Sequence, residues 1–177
     1  TCGAAQGYCL SAPGGDKGGS IYSTVQSDNQ HTKDENGAAY GQMMGTSMAT
    51  PVVTGSVALL MSAYPHLTSQ QVVEILFRTA RKDLEGWTND GTWTDSLGNK
   101  HDTSEKYGHG IVDLERASQP LGTLGIPTGN TTASAQTPMD ETYLRLPIQL
   151  YKLHHLPISK TIVALDDYNR GYSVAVF

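Results

Sequence analysis

Gly45 to Pro51 read GTSMATP, immediately ahead of a long apolar run. A serine at the threshold of a helix has two uses. Thr46 and Ser47 are ordinary capping types, whose side-chain oxygens satisfy backbone N–H groups of the first turn. Ser47 also stands where a nucleophile would stand. The first N–H groups of a helix lack intrahelical partners and the dipole there favours negative charge, so the same turn would stabilise an oxyanion. Gly45 lets the backbone come close to a substrate. A serine hydroxyl is a weak nucleophile, and it needs a general base within hydrogen-bond reach and a group that orients the base. From these seven residues alone the cap and the nucleophile both stand.

The element that must hold Ser47 is the helix that follows. Sequence rules make Thr50 its cap and Pro51 its first residue. If it begins at Ser47 instead, Pro51 deletes one backbone hydrogen bond and distorts the opening turn. It runs to about Tyr64 and stops at Pro65. Met48, Val52, Val53, Val57, Ala58, Leu59, Leu60 and Met61 put apolar groups on nearly every face, which predicts a helix buried inside a larger body. The apolar run Val52 to Ala63 contains Thr, Gly and Ser and is shorter than the roughly 20 residues of a membrane span.

A second helix is predicted over QQVVEILFRTA, capped by Thr68 or Ser69 and ending near Lys82. Val72, Val73, Ile75, Leu76 and Ala80 are expected inward; Gln71, Glu74 and Arg78 are expected outward. Leu84 to Lys106 reads as a long hairpin or a functional loop. Asp90, Asp95 and Asp102 lack calcium-loop spacing, and Trp87 and Trp93 are expected in local core. Upstream, Leu10 to Ser23 reads as strand, Gly-rich turn and strand, and Val25 to Asn36 as an exposed loop. Tyr107 to Ser118 gives a strand or turn and then a short helix.

Gln119 to Thr142 shifts to Pro, Gly, Thr, Ser and Asn, the composition of a linker or surface arm, and includes an Asn130-Thr131-Thr132 sequon. Tyr143 to Phe177 looks β-rich, with a hairpin of Thr161 to Leu165, the turn DDYNRG, and Tyr172 to Phe177. The chain ends in a strand-like run with no turn after it, which reads as truncation. His154 and His155 are adjacent, would face opposite sides of a strand, and are expected as an exposed pair.

The 177 residues suffice for one domain, or a core plus an appendage. A net charge of −5 with twelve Lys and Arg in no stripe argues against nucleic acid as a main partner. Two cysteines, Cys2 and Cys9, are close enough to close a disulfide loop or to remain two buried thiols. A disulfide would imply an oxidising compartment.

GTSMATPVVTGSVALL resembles the nucleophile segment of the subtilisin-like serine peptidases, the subtilases, at every position from Gly45 to Pro51 and on through Val53, Gly55 and Ala58 to Leu60. LSAPGGDKGGSIYST is similar to the family's Ala-Pro-Gly turn and following strand. YPHLTSQQVVEILFRTA resembles the next helix, and YGHGIVDLERA the terminal Tyr-Gly-x-Gly segment. Val53 departs from the family, which often has histidine there; packing rather than chemistry should change. CGAAQGYCLSAPG, LRLPIQL and VALDDYNRGYSVAVF are similar to bacterial autotransporter subtilases. That likeness implies a Cys2–Cys9 disulfide and an extracellular or bacterial cell-surface location.

The resemblance implies an α/β fold: the C-terminal portion of a subtilisin-like parallel-sheet, three-layer domain, with a β-rich extension. Residues 1–119 would belong to the catalytic domain, 120–142 to a linker and 143–177 to a truncated passenger extension. The activity implied is endopeptidase acyl transfer on protein or peptide substrates, with Ser47 as nucleophile and its backbone N–H as one oxyanion donor. The family's Asp-Thr/Ser-Gly and His-Gly-Thr-His runs do not occur here. Family order is Asp, His, Ser, so base and orienter are expected N-terminal to Thr1. None of His31, His66, His101, His109, His154 and His155 sits in a motif of the base; His66 is expected exposed and His109 packed. Calcium is common in the family, but no ligand is assignable here. A membrane is implied only through a possible downstream barrel. The alternative is a non-catalytic subtilase-like scaffold or adhesive passenger.

Overall fold

The computed structural model describes residues 1–26, 39–127, 136–138 and 161–175, and the chain divides into two compact units, Thr1–Ser118 and Gln119–Phe177. Helices and strands mix along the chain, an α/β composition. Part of the loop expected over Val25 to Asn36, with His31, lies outside the described residues. So do the Asn130 sequon, LRLPIQL and the His154–His155 pair.

In the first unit β1 (Ile21–Thr24) and β2 (Tyr40–Met43) pair antiparallel, with Ile21 opposite Met43 and Thr24 opposite Tyr40. α1 (Thr46–Ala63) follows at once and ends before Tyr64, whose N–H bonds the Leu60 carbonyl at 2.9 Å. α2 (Ser69–Thr79) opens on a capping box: the Gln71 N–H donates to the Thr68 hydroxyl at 3.2 Å, and the Gln71 side-chain oxygen accepts from the Thr68 N–H at 2.9 Å. Such a cap is worth about 1 kcal/mol. Val72, Ile75 and Leu76 are fully buried, each contributing roughly 1.5–3 kcal/mol by leaving water.

The expected faces of both helices need correction. In α1 only Ser56 and Leu60 are buried, whereas Val52, Leu59 and Met61 are exposed. Ser56 and Leu60 form one covered i, i+4 stripe and α1 packs on α2; the all-round apolar pattern suits a larger body than this unit. By length and composition alone α1 would also suffice to cross a membrane. In α2, Val73 is exposed, while Glu74 is buried and the Arg78 side chain is 10% exposed. Polarity alone misassigned them, because partners wait inside.

Those partners come from the predicted hairpin, β3 (Gly91–Thr94) with β4 (Lys100–Thr103), paired antiparallel. At its turn the buried Asp95 carboxylate accepts from Leu97 N–H (3.0 Å), Asn99 N–H (2.7 Å) and Asn99 Nδ2 (3.1 Å), meets His101 Nε2 at 2.9 Å, and pairs with Arg78 Nε at 3.4 Å. Glu74 accepts from Ser96 N–H (3.2 Å) and its hydroxyl (2.7 Å). Burial pushes the Asp95 carboxyl up, but the hydrogen bonds from His101 and Asn99 and the Arg78 charge outweigh it and hold it at about 2. Trp93 and Trp87 are half-buried, Trp93 edge-on to Phe77 and Trp87 stacked on Tyr107.

Cys2 and Cys9 are joined by a disulfide across a 3₁₀ turn, Gly3–Tyr8, with Cα atoms 5.9 Å apart. The residues after Cys9 run against 109–112: the His109 N–H donates to the Cys9 carbonyl, Ser11 N–H to Gly110, and Val112 N–H to Ser11, at 2.8–2.9 Å. At Gly108, φ +64, any Cβ would run into the Cys9 carbonyl. The Ser11–Ile111 bridge is the one parallel pairing among the described residues; the named strands all pair antiparallel. The short α3 (Leu114–Ser118) packs on α2.

The second unit is a four-stranded antiparallel sheet, ordered β6 (Gln136–Pro138), β5 (Gly125–Pro127), β7 (Thr161–Leu165), β8 (Gly171–Ala175). Thus 125–127 and 136–138, expected within a linker over 120–142, are strands of the same sheet as the predicted hairpin. Their Gly- and Pro-rich composition concealed a pairing that only a distant partner reveals. The β7–β8 turn is locked by Asp166 and Arg170, both fully buried and 2.7 Å apart. Asp166 also accepts from Tyr168 and Arg170 N–H at 3.0 Å and from Leu121 N–H at 3.1 Å; Arg170 Nη2 donates to the Gln119 carbonyl at 2.8 Å.

Candidate functional site

α1 starts earlier than sequence rules place it. Gly45 is its cap, Thr46 its first residue, and Pro51 sits inside its second turn. Pro51 has no N–H to give the carbonyl four residues back, so the Ser47 carbonyl lacks its usual helical donor. The Thr50 hydroxyl donates to the Thr46 carbonyl at 2.9 Å and reinforces this turn. No side chain caps the helix. The Gly45 carbonyl accepts the first hydrogen bonds of the helix, from Met48 N–H at 3.1 Å and Ala49 N–H at 3.3 Å.

Gly45 has φ 139 and ψ −179, a conformation that costs a side-chain-bearing residue dearly. That angle turns the chain from the end of β2 into the axis of α1. Its N–H donates to the Gly14 carbonyl at 2.7 Å, which ties the Ala-Pro-Gly turn to the start of the helix.

Ser47 is therefore presented at the second helical position, exposed. Its hydroxyl makes no hydrogen bond among the described residues, so Ser47 does not act as a cap. It lines a cleft of about 170 Å³ with Ile21, Ser23, Met43, Met48 and Pro51. The walls come from the β1–β2 pair and from α1 itself. Only the helix-start signal was legible in the sequence; the apolar Ile21 and Met43 lining follows from strand register, as they sit opposite each other. A second cavity, about 220 Å³, lies on another side of α1 between Thr46, Ala49 and Val53 and the disulfide segment.

The described histidines are engaged elsewhere. His109 is wholly buried: Nε2 bonds the Gly7 carbonyl at 3.0 Å and the ring stacks on Phe77. Burial lowers its pKa, opposed by the Gly7 bond and aided by the Lys82 and His101 charges. His101 is held by Asp95, and His66 is exposed, edge-on to Tyr64. Among the described residues, none hydrogen-bonds Ser47. Nor do these residues bring three or more His, Cys, Asp or Glu side chains together as metal ligands.

The chain that presents this exposed serine at a glycine-set helix start matches the subtilase family, Peptidase_S8, over residues 1–110. The chain belongs to that family. It is 38% identical over 92 residues to an extracellular serine protease of Serratia marcescens, covering 45% of this chain and 8% of that protein. It is 30% identical over 116 residues to serotype-specific antigen 1 of Mannheimia haemolytica, covering 66% of this chain and 10% of that protein. The crystal structure of fervidolysin from Fervidobacterium pennivorans, a keratinolytic enzyme related to subtilisin, aligns with a TM-score of 0.43 at 31% identity, over 60% of this chain and 15% of that one. The chain thus spans between 8% and 15% of the length of these proteins.

Proposed function

We propose that this chain carries the nucleophile, Ser47, of a secreted subtilisin-like serine endopeptidase acting on protein or peptide substrates. The observation that carries the proposal is the exposed Ser47 hydroxyl at the start of α1, without a hydrogen bond among the described residues, in a chain of the subtilase family. Ser47 attacks the peptide carbonyl, and its backbone N–H, at an N-terminal helical position, donates to the oxyanion. A histidine takes the serine proton and an aspartate orients that histidine; both are supplied by polypeptide N-terminal to Thr1. Residues 1–119 are then the C-terminal part of the catalytic domain, and the unit that follows is a passenger extension. The exposed Val52, Leu59 and Met61 of α1 support this, since a catalytic domain completed from upstream would cover them. The extracellular relative and the disulfide support an exported protein at the bacterial surface or beyond it.

The test is the turnover of the full-length polypeptide before and after Ser47→Ala. Loss of peptidase turnover with the fold retained supports the assignment; a retained rate refutes it. The antigen relative favours a second reading, in which the fold serves as a non-catalytic surface passenger. That reading expects no peptidase turnover from the unmodified full-length protein.

A further inference from the structure

We infer that Gly14 is a positioning residue for Ser47, an inference that rests on the nucleophile assignment above. Gly14 and Gly45 are glycines for different reasons. At Gly45 a Cβ would meet nothing within 4 Å, so space is free and the backbone angle, φ +139, is the constraint. At Gly14 the constraint is space. A Cβ there would lie 2.5 Å from the Gly45 carbonyl oxygen and 3.3 Å from the Ala49 Cβ.

The Gly45 carbonyl accepts the first hydrogen bonds of α1, from the Met48 and Ala49 N–H groups. The Gly45 N–H is in turn held by the Gly14 carbonyl at 2.7 Å. Gly14 therefore touches both ends of the one peptide segment that sets where α1 begins, two residues before Ser47. Any side chain at 14 pushes the Gly45 carbonyl, and with it the first turn and the Ser47 oxygen. The added Cβ would meet the Gly45 backbone and the rigid Ala49 Cβ, with no flexible side-chain end to yield. Gly18, in the same turn, is the contrast: a Cβ there would meet only Asp16 Oδ1 at 3.4 Å.

The experiment compares Gly14→Ala, Gly18→Ala and Ser47→Ala in the full-length polypeptide, reading kcat and KM per folded molecule and the thermal midpoint. Gly14→Ala is expected to lower kcat by about 100-fold, the order of loss for a reacting group displaced by about 1 Å. KM should stay within about twofold and the fold should persist, while Gly18→Ala keeps both constants. If Gly14→Ala does not fold, Gly45→Ala is read in its place, because it perturbs the same junction through the backbone angle with open space around it. An unchanged kcat in the folded variant overturns the inference. So does failure of both variants to fold where Gly18→Ala folds, since the junction would then hold the domain rather than the serine. Turnover surviving Ser47→Ala is a separate failure, that of the nucleophile assignment.

Discussion

The imidazole of His109 lies flat on the ring of Phe77, centroids 3.9 Å apart and planes 8° from parallel, and Trp93 meets it edge-on at 5.0 Å. Its Nε2 reaches the Gly7 carbonyl inside the disulfide loop, while Nδ1 is buried with no partner among the described residues. The ring is thus built into the packing as a neutral group. Its pKa is lowered from 6.5, chiefly by burial. A folded-state pKa below the unfolded value means that the unfolded chain binds the proton more readily, so stability is complete above about pH 6.5 and falls as pH drops below it. Thermal midpoints between pH 7 and 5 should decline, and His109→Phe, which keeps the aromatic stack, should flatten that decline. The same slope in both proteins would show that His109 does not couple to folding.

Asp95 acts in a lower window. Held at about 2 against an ordinary 3.8, its carboxylate contributes stability present above about pH 4 and lost as pH falls towards 2. The shift corresponds to about 2 kcal/mol. Asp95→Ala withdraws the carboxylate from Arg78 and His101 in a buried site and should cost about 3 kcal/mol at neutral pH. Denaturant unfolding of the two proteins at pH 7 reads the difference. A loss under about 0.5 kcal/mol, the size of an ordinary surface substitution, would mean that the cluster is not a stabilising one.

Arg170 and Asp166 form the ion pair of the second unit, with both side chains wholly buried. Arg170→Ala leaves a buried carboxylate without its charge partner and should cost about 3–5 kcal/mol. Arg170→Ala with Asp166→Ala together should cost less than the two single changes summed, because they share one network. Additive losses would show that the pair is not coupled.

The local elements of the fold were legible where a residue's role is set by near neighbours. The Thr68 cap, the end of α1 before Pro65 and the β7–β8 hairpin all follow from spacing within a few residues. What escaped was set by distant partners. Glu74 and Arg78 look like solvent-facing positions until the β3–β4 turn brings Ser96 and Asp95 over them. Strand β5 hides in a Gly- and Pro-containing stretch because its pairing with β7 spans about forty residues, Gly125 lying opposite Leu165. At the site, GTSMATP pointed to Ser47, but nothing in the sequence told that the Gly14 carbonyl would hold Gly45. The early start of α1 was obscured by Pro51, which reads as a first helical residue and instead stands in the second turn. The Gly45 carbonyl accepts from the Met48 and Ala49 N–H groups, and the Ser47 hydroxyl makes no hydrogen bond among the described residues.

Reaction of the full-length polypeptide with a serine-directed fluorophosphonate, followed by mass mapping of the adduct, reports which hydroxyl is the nucleophile. One adduct per molecule is expected, on Ser47. The adduct should disappear in Ser47→Ala together with peptidase turnover, a loss on the order of a millionfold as found when a subtilisin, a member of this family, is stripped of its nucleophile. An adduct on another residue while peptidase activity is lost, or peptidase turnover that survives Ser47→Ala, would contradict the assignment of Ser47 as nucleophile.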